Sequence, residues 1–309
     1  MKRTLSVFFN IDRTYVTITE PNEKGIELLY LNSTDTNIDL ENLDDDFAQV
    51  GIEELEALLK PIEIEVDRIC VTIPAESVLV SQFPGRPGME ESELRKLVSL
   101  EIRNAYPTFN PDDFTSNVIP LAQRQDGQSL MLAVIMPKQI IMSCIDILKV
   151  YDLPIENIEI SQLNAHSAFL YNYPEMMDKN VIIIGVQDQF MDVSVISAGK
   201  PIYYDLVSLS DKSEIGTVFE AEYEKLTKTA IQNIDCAYFF GTGLTRDMYI
   251  SVWETSMLLG IGIGRLNAFR MITTKLDSRD REYCSRTMHI YPPCIGSSFP
   301  AYHEKIKLS

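Results

Sequence analysis

The amino-terminal residues alternate. Leu5, Val7, Phe9 and Ile11 stand against Ser6, Phe8 and Asn10, a period of two that predicts a strand over 5–11. A second strand over 15–19, a turn at Glu23-Lys24-Gly25 and a third strand over 26–31 complete a β-meander. The acidic stretch 34–47 reads as a solvated loop. Phe47, Leu55, Leu58 and Leu59 then suggest a helix, and 68–74 reads as a short buried strand closed by Pro74.

The character changes near residue 75. Residues 76–84 alternate as a strand, and a proline/glycine break runs from Gly85 to Gly88. Residues 89–107 give the clearest helix in the chain. Leu94, Leu97, Val98, Ile102 and Ala105 follow the i, i+3, i+4 pattern, and Pro107 stops it. Strands near 113–121 and 129–137 flank a turn at Gln125-Asp126-Gly127, and a helix over 138–152 has its apolar face at Ile141, Ile145 and Leu148. The segment 76–152 therefore reads as an α+β unit.

A second meander follows over 181–209, with a turn at Gly199-Lys200-Pro201. Residues 211–234 read as a long helix, 236–243 as a buried strand ending in glycines, and 247–260 as a helix capped by Gly260. The last thirty residues, with Pro292-Pro293 and Gly296, read as irregular. The two halves share a plan of meander, helix and strand, which implies an architectural duplication.

Composition narrows the function. A chain of 309 residues buries a large core, in two or more domains. No apolar run reaches membrane-spanning length, and the start MKRTLSVFF lacks the long apolar region and cleavage site of a signal peptide. The net charge of −18 disfavours nucleic acid and anionic lipid as partners and is compatible with a basic protein segment. Cys70, Cys144, Cys236, Cys284 and Cys294 form no close pair, so buried reduced thiols are expected. His166, His289 and His303 have no metal-ligand spacing, and no metal is expected; each reads as packing or surface.

Over 69–160 the chain resembles the PilM family of type IV pilus assembly proteins, relatives of FtsA and of the cytoplasmic part of GspL. Pro74, Pro84, Glu93, Leu94, Glu101, Pro107 and Asp113 fall in register with the family pattern, and Leu153-Pro154-Ile155-Glu156 stands where its Gly-Leu segment sits. A weaker likeness continues through 181–265. The resemblance implies an α/β, actin-like (ribonuclease H-like) two-lobe fold with a small inserted α+β subdomain. The expected division is a first lobe over 1–75, an insert over 76–152 and a second lobe over 153–309, whose final segment is free to pack back on the first. It also implies a cytoplasmic protein, peripheral to the inner membrane through a partner. That partner is the tail of an inner-membrane protein of the PilN type, lying in a groove beside the insert.

Actin-like ATPases hold Mg²⁺-bound phosphates in two hairpin turns, through carboxylates and glycine-exposed backbone N–H groups. In the first hairpin here, Phe9 to Val16, Asn10 or Asp12 stands in for the acidic residue, no glycine remains, and the lysine position has become apolar or Thr17. In the second hairpin the family aspartate falls on Gly185 and the family glycine on Gln187. Asp188 reads as a turn residue and Asp192 as an exposed strand residue. Arg13 and Gln187 are expected to block the backbone approach. Gly241 and Gly243 retain the form of the adenosine-contacting turn, with a tight strand-to-helix turn as the plainer reading. The glycines at 260–264 follow a helix rather than precede one, which is the wrong context for a phosphate loop. Ser194 and Ser208 have no evident histidine partner.

Two function classes follow. One is a non-catalytic actin-like scaffold or adaptor of a type IV pilus or type II secretion-like assembly, without catalytic residues or cofactor. It binds a basic membrane-protein tail along the edge strands 76–82 and 113–121, with Val78, Val80, Gln82, Phe114 and Asn117 as contacts. The alternative is a divergent ATP-binding or sugar-kinase-like enzyme of the same superfold, which needs Asp12, Asp188 or Asp192 to share one Mg²⁺ site. Actin-like folds often dimerise or polymerise, so a homo-oligomer is among the expected states.

Overall fold

The structure, a computed structural model, describes residues 2–86, 88–121, 127, 129–302 and 305–308. The expected turn residues Gln125 and Asp126, Pro87 of the proline/glycine break, and His303 lie outside the described residues. The chain forms two compact units.

The first unit comprises Met1–Ser77, Pro137–Asn172 and Asn267–Pro300. Its amino-terminal part supplies β1 (Thr4–Phe9), β2 (Thr14–Asn22), β3 (Gly25–Ser33), α1 (Asp46–Leu59) and β4 (Arg68–Ile73). The intervening chain, Val78–Met136, belongs to the second unit and carries β5 (Leu79–Pro84), α2 (Glu91–Ala105), β6 (Phe114–Pro120) and all but the last residue of β7 (Leu130–Pro137). The first unit resumes with α3 (Lys138–Leu148), β8 (Ile155–Ile160) and α4 (Ser161–Asn172). In the second unit follow β9 (Asn180–Val186), β10 (Phe190–Ser197), β11 (Lys200–Ser208), α5 (Ile215–Thr229), β12 (Cys236–Phe240), α6 (Arg246–Leu259) and β13 (Gly262–Arg265). The first unit then takes β14 (Thr273–Thr274), α7 (Ser278–Thr287) and α8 (Pro292–Gly296), and β15 (Ile306–Leu308) closes the chain in the second.

The first unit's sheet has the order β14-β3-β2-β1-β4-β8. The meander is antiparallel, and β4 and β8 add parallel strands beyond β1. All six residues of β1 are buried, because both faces of the sheet are covered. Phe8 and Tyr15 pack with Tyr291, Cys294 and Ile295 around α8 on one face, while Leu5, Ile18 and Leu59 of α1 line a cavity on the other. The acidic stretch is only partly solvated: Thr34, Ile38 and Leu40 are buried, and Gly51 of α1 sits so close to Asn37 that a Cβ would lie 2.6 Å from its carbonyl oxygen. The aspartates before α1 serve the helix start, where the Asp45 carboxylate accepts from the Phe47 N–H.

Three expectations are corrected here. The insert ends at Met136 rather than 152, because α3 and β8 complete the first lobe: Ser143 Oγ donates to the Leu40 carbonyl at 2.7 Å, and β8 pairs with β4. The buried face of α3 is Ile140, Cys144, Ile147 and Leu148, and Ile145 is exposed. The final segment is not irregular. Pro292 and Pro293 open α8, where their missing N–H groups cost nothing, and β14 pairs with β3.

The second unit holds two sheets. One has the order β11-β10-β9-β12-β13, the same meander-plus-two-parallel-strands plan as the first unit. The duplication inferred from the two halves is therefore present in the topology. The other sheet is β15-β6-β7-β5, with α2 on one face through Leu94, Val98 and Ile102. Among the described residues, no helix is long and apolar enough to cross a membrane.

Candidate functional site

The turn between β1 and β2 closes on itself. The Asn10 N–H donates to the Arg13 carbonyl at 3.2 Å, and the buried Asn10 amide donates to Asp12 Oδ1 at 2.7 Å. Asp12 Oδ2 accepts from the Tyr15 hydroxyl at 2.7 Å, and Arg13 Nε lies 3.7 Å from the same oxygen. Burial, then the Asp12 charge, pushes the Tyr15 hydroxyl well up from its ordinary value, so Tyr15 stays a donor. The cavity beside this turn, lined by Asn10, Ile11, Asp39, Pro74 and Ser77, holds about 130 Å³. Ligand pockets hold about 300–1,000 Å³.

The turn between β9 and β10 is closed in the same way. The Gln187 N–H donates to the Phe190 carbonyl at 2.9 Å, and the buried Gln187 side chain accepts from Thr242 Oγ1 at 3.2 Å. Asp188 pairs with Lys212. Gly185 is not in the turn; it lies within β9, opposite Asp192 on β10 and Phe240 on β12. Asp192 is buried rather than exposed, and its Oδ1 accepts from the Tyr204 hydroxyl on β11 at 2.5 Å.

Gly241 and Gly243 are held by packing. A Cβ on Gly241 would lie 2.3 Å from the Val186 carbonyl oxygen, and one on Gly243 would lie 2.3 Å from that of Gln187. The Gly243 N–H donates to the Val186 carbonyl at 3.0 Å, tying this turn to the end of β9. Mg²⁺-bound phosphate needs an outward carboxylate and bare backbone N–H groups at glycine. Asp12 is bonded from three sides, and both hairpin turns carry side chains at every position, so these residues do not fit such a group. The glycines at 260–264 cap α6 and form β13, and Gly264 lies under the Tyr238 ring. Ser194 Oγ donates to the Ile183 carbonyl inside the sheet. Among the described residues, no group of three or more His, Cys, Asp or Glu side chains is arranged to hold a metal ion.

The expected partner contacts divide between two faces of the four-stranded sheet. Phe114 belongs to the α2 face, stacked on Tyr106 at 5.7 Å and packed near Phe109, so it is core. Phe83 and Leu79 share that face, and Ser81 donates to Glu101 of α2. Val80 and Gln82 alternate to the opposite face, opposite Val134 and Leu132 of β7, and Asn117 shares it by the same alternation along β6. The Gln82 amide donates to the Tyr204 carbonyl, so it is committed within the unit. Val78 is buried just before β5.

The expectation that both 76–82 and 113–121 are edges holds for one of them. β6 is covered by β15, in which Lys307 registers with Asn117 and Leu308 with Ser116. β5 ends the sheet, and among the described residues no strand pairs with its outer edge. Three residues before β5, both Glu76 carboxylate oxygens are buried without a hydrogen-bond partner among the described residues, and burial raises this carboxyl above its ordinary range.

Two lobes with one strand order, each opening in an antiparallel meander, and an α+β insert between β4 and α3 define an actin-like fold. Among solved structures the chain is similar to the PilM-PilN type IV pilus biogenesis complex, with a TM-score of 0.71 over 95% of this chain and 97% of that chain at 12% identity. It is also similar to a protein with actin-like ATPase fold and unknown function from Bacteroides thetaiotaomicron, with a TM-score of 0.53 over 84% of this chain and 90% of that chain at 11% identity. No family model matches the chain, and no curated protein matches its sequence.

Proposed function

We propose that this chain is a non-catalytic actin-like adaptor that holds an extended basic segment of a partner protein, the tail of an envelope membrane protein in a pilus-like or secretion-like assembly. The observation that carries the reading is the outer edge of β5, with which no strand pairs among the described residues; independently, each hairpin turn is committed to its own hydrogen bonds. An added strand would pair its backbone with β5 and set alternate side chains against the Val80 face. A net charge of −18 favours Lys or Arg in that strand. The likeness to the PilM-PilN complex supports the same partner class.

The test is fluorescence anisotropy with a labelled basic tail peptide, beside calorimetric titration with Mg²⁺-ATP. Peptide affinity should fall as salt rises. Val80→Asp should weaken it while the circular-dichroism spectrum and melting stay near wild type. Unfolding by Val80→Asp would place Val80 in the core, and wild-type affinity in a folded variant would move the groove elsewhere. Micromolar Mg²⁺-ATP affinity would revive the enzyme alternative.

A further inference from the structure

The outer face of α6 carries a row of exposed apolar side chains on a chain that is acidic as a whole. Its inner face packs Met248 and Val252 into the second unit's core, and Gly216 of α5 comes close enough that a Cβ would lie 2.7 Å from Ser251 Oγ. The helix is well anchored. Thr245 caps its start by accepting from the Met248 N–H at 3.2 Å, and Gly260 ends it at φ 70°. Outward point Ile250 (42% exposed), Trp253 (51%), Met257 (65%) and Leu258 (85%). Ile250, Trp253 and Met257 follow helical spacing and form one stripe. Trp253 is the only tryptophan in the chain, and half of it faces water.

We infer that this stripe is a self-association surface that takes the α6 face of a second copy of this chain. Two features favour a second copy. Trp253 lies at the middle of Arg246–Leu259, with Ile250 and Met257 on either side, so an antiparallel two-fold pairing sets Ile250 against Met257 of the other copy. The three side chains of the stripe leave roughly 350 Å² of apolar surface open, within the range of functional patches. Pairing two such faces buries about 700 Å², with more from the helix flanks, which is the size of a weak, reversible dimer. The two-fold axis passes between Trp253 and Glu254, so each Glu254 lies against Trp253 of the other copy and close to its own symmetry mate. Two copies each of charge −18 repel as well, so salt that screens this repulsion strengthens the pairing.

Sedimentation equilibrium across a concentration series, at low and at high salt, tests this on the full chain. Wild type should dimerise reversibly, more tightly at high salt, and the emission of Trp253 should shift to the blue as the dimer forms. Met257→Glu with Leu258→Glu, at two of the most exposed positions, should raise the dimer Kd at least tenfold without changing the melting temperature. Glu254→Gln should lower the dimer Kd. A chain that stays monomeric at both salt concentrations, or a dimer that the double variant leaves unchanged, overturns the inference. So does pairing that weakens with salt or with Glu254→Gln, because that behaviour belongs to a surface for a basic partner.

Discussion

Gly243→Ala discriminates between two reasons for a glycine after β12. The added Cβ would stand 2.3 Å from the Gln187 carbonyl oxygen and 2.5 Å from its carbonyl carbon. Both are backbone atoms, so no side chain can swing away. Restoring ordinary contact requires the turn to retreat by about 1 Å, which takes the 3.0 Å bond from the Gly243 N–H to Val186 out of hydrogen-bond range. Overpacking of this kind costs about 1–3 kcal/mol. An unsatisfied buried backbone group adds a further ~1–3 kcal/mol. The expected loss is therefore about 2–6 kcal/mol, or a fall in Tm of roughly 5–20 °C for a domain of ordinary size. Thermal melting by circular dichroism measures it. Gly262→Ala is the control, because its Cβ would meet nothing within 4 Å. If Gly243→Ala melts like wild type while abolishing a measurable affinity for Mg²⁺-ATP, the glycine serves a nucleotide and the packing argument fails.

Three further outcomes are expected. Glu76 has its pKa raised by burial above 4.5, so its contribution to stability is full below pH 4.5 and is lost as pH rises through the folded value; Glu76→Gln should gain on wild type progressively above pH 4.5 in denaturant titrations, and two parallel pH profiles would contradict this. Gly296→Ala should destabilise the first unit severely, since its Cβ would lie 1.8 Å from the Asn164 carbonyl oxygen, and a wild-type melting curve would count against the α4–α8 packing. The thiols of Cys144 and Cys294 are pushed up to about 12 by burial, whereas Cys236 is half-buried at about 11; a thiol reagent should label Cys236 before these two in the native protein, and earlier labelling of Cys294 would show that α8 opens.

The meanders, α2 and the Gly260 cap were legible because each is written in contiguous residues. Alternation at Leu5, Val7 and Phe9 and the i, i+4 spacing of Leu94 and Val98 need no distant partner to be read. α4 was missed because it has no polar face. Eleven of its twelve residues are buried, and its two asparagines are satisfied inside the unit: Asn164 donates to Thr72 Oγ1 at 2.7 Å, and Asn172 donates to the Ala268 carbonyl at 3.0 Å. A helix buried on all sides erases the periodicity that announces it. Asp192 was misread for a related reason, since its partner Tyr204 lies on the next strand and makes burial affordable. The covering of β6 was invisible because β15 arrives from nearly two hundred residues downstream. In the candidate site, the missing glycines at 10–13 and 187–189 were plain in the sequence. What replaced their chemistry, the Asn10–Asp12–Tyr15 and Gln187–Thr242 bonds, needed coordinates.

Salt separates the two surfaces argued for this chain, because the net charge enters them with opposite sign. A basic strand on β5 gains from the charge of −18, and screening removes that gain. Pairing of α6 faces is driven by apolar burial and opposed by the same charge, so screening helps it. One preparation titrated with salt should therefore release a basic peptide while its Trp253 emission moves to the blue. A peptide bound at α6 would cover Trp253, so its release by salt would move the emission to the red instead. A blue shift during release is the result expected of a partner edge and a self-association face on different elements of the second unit, one on the insert's sheet and one on the helix that follows β12.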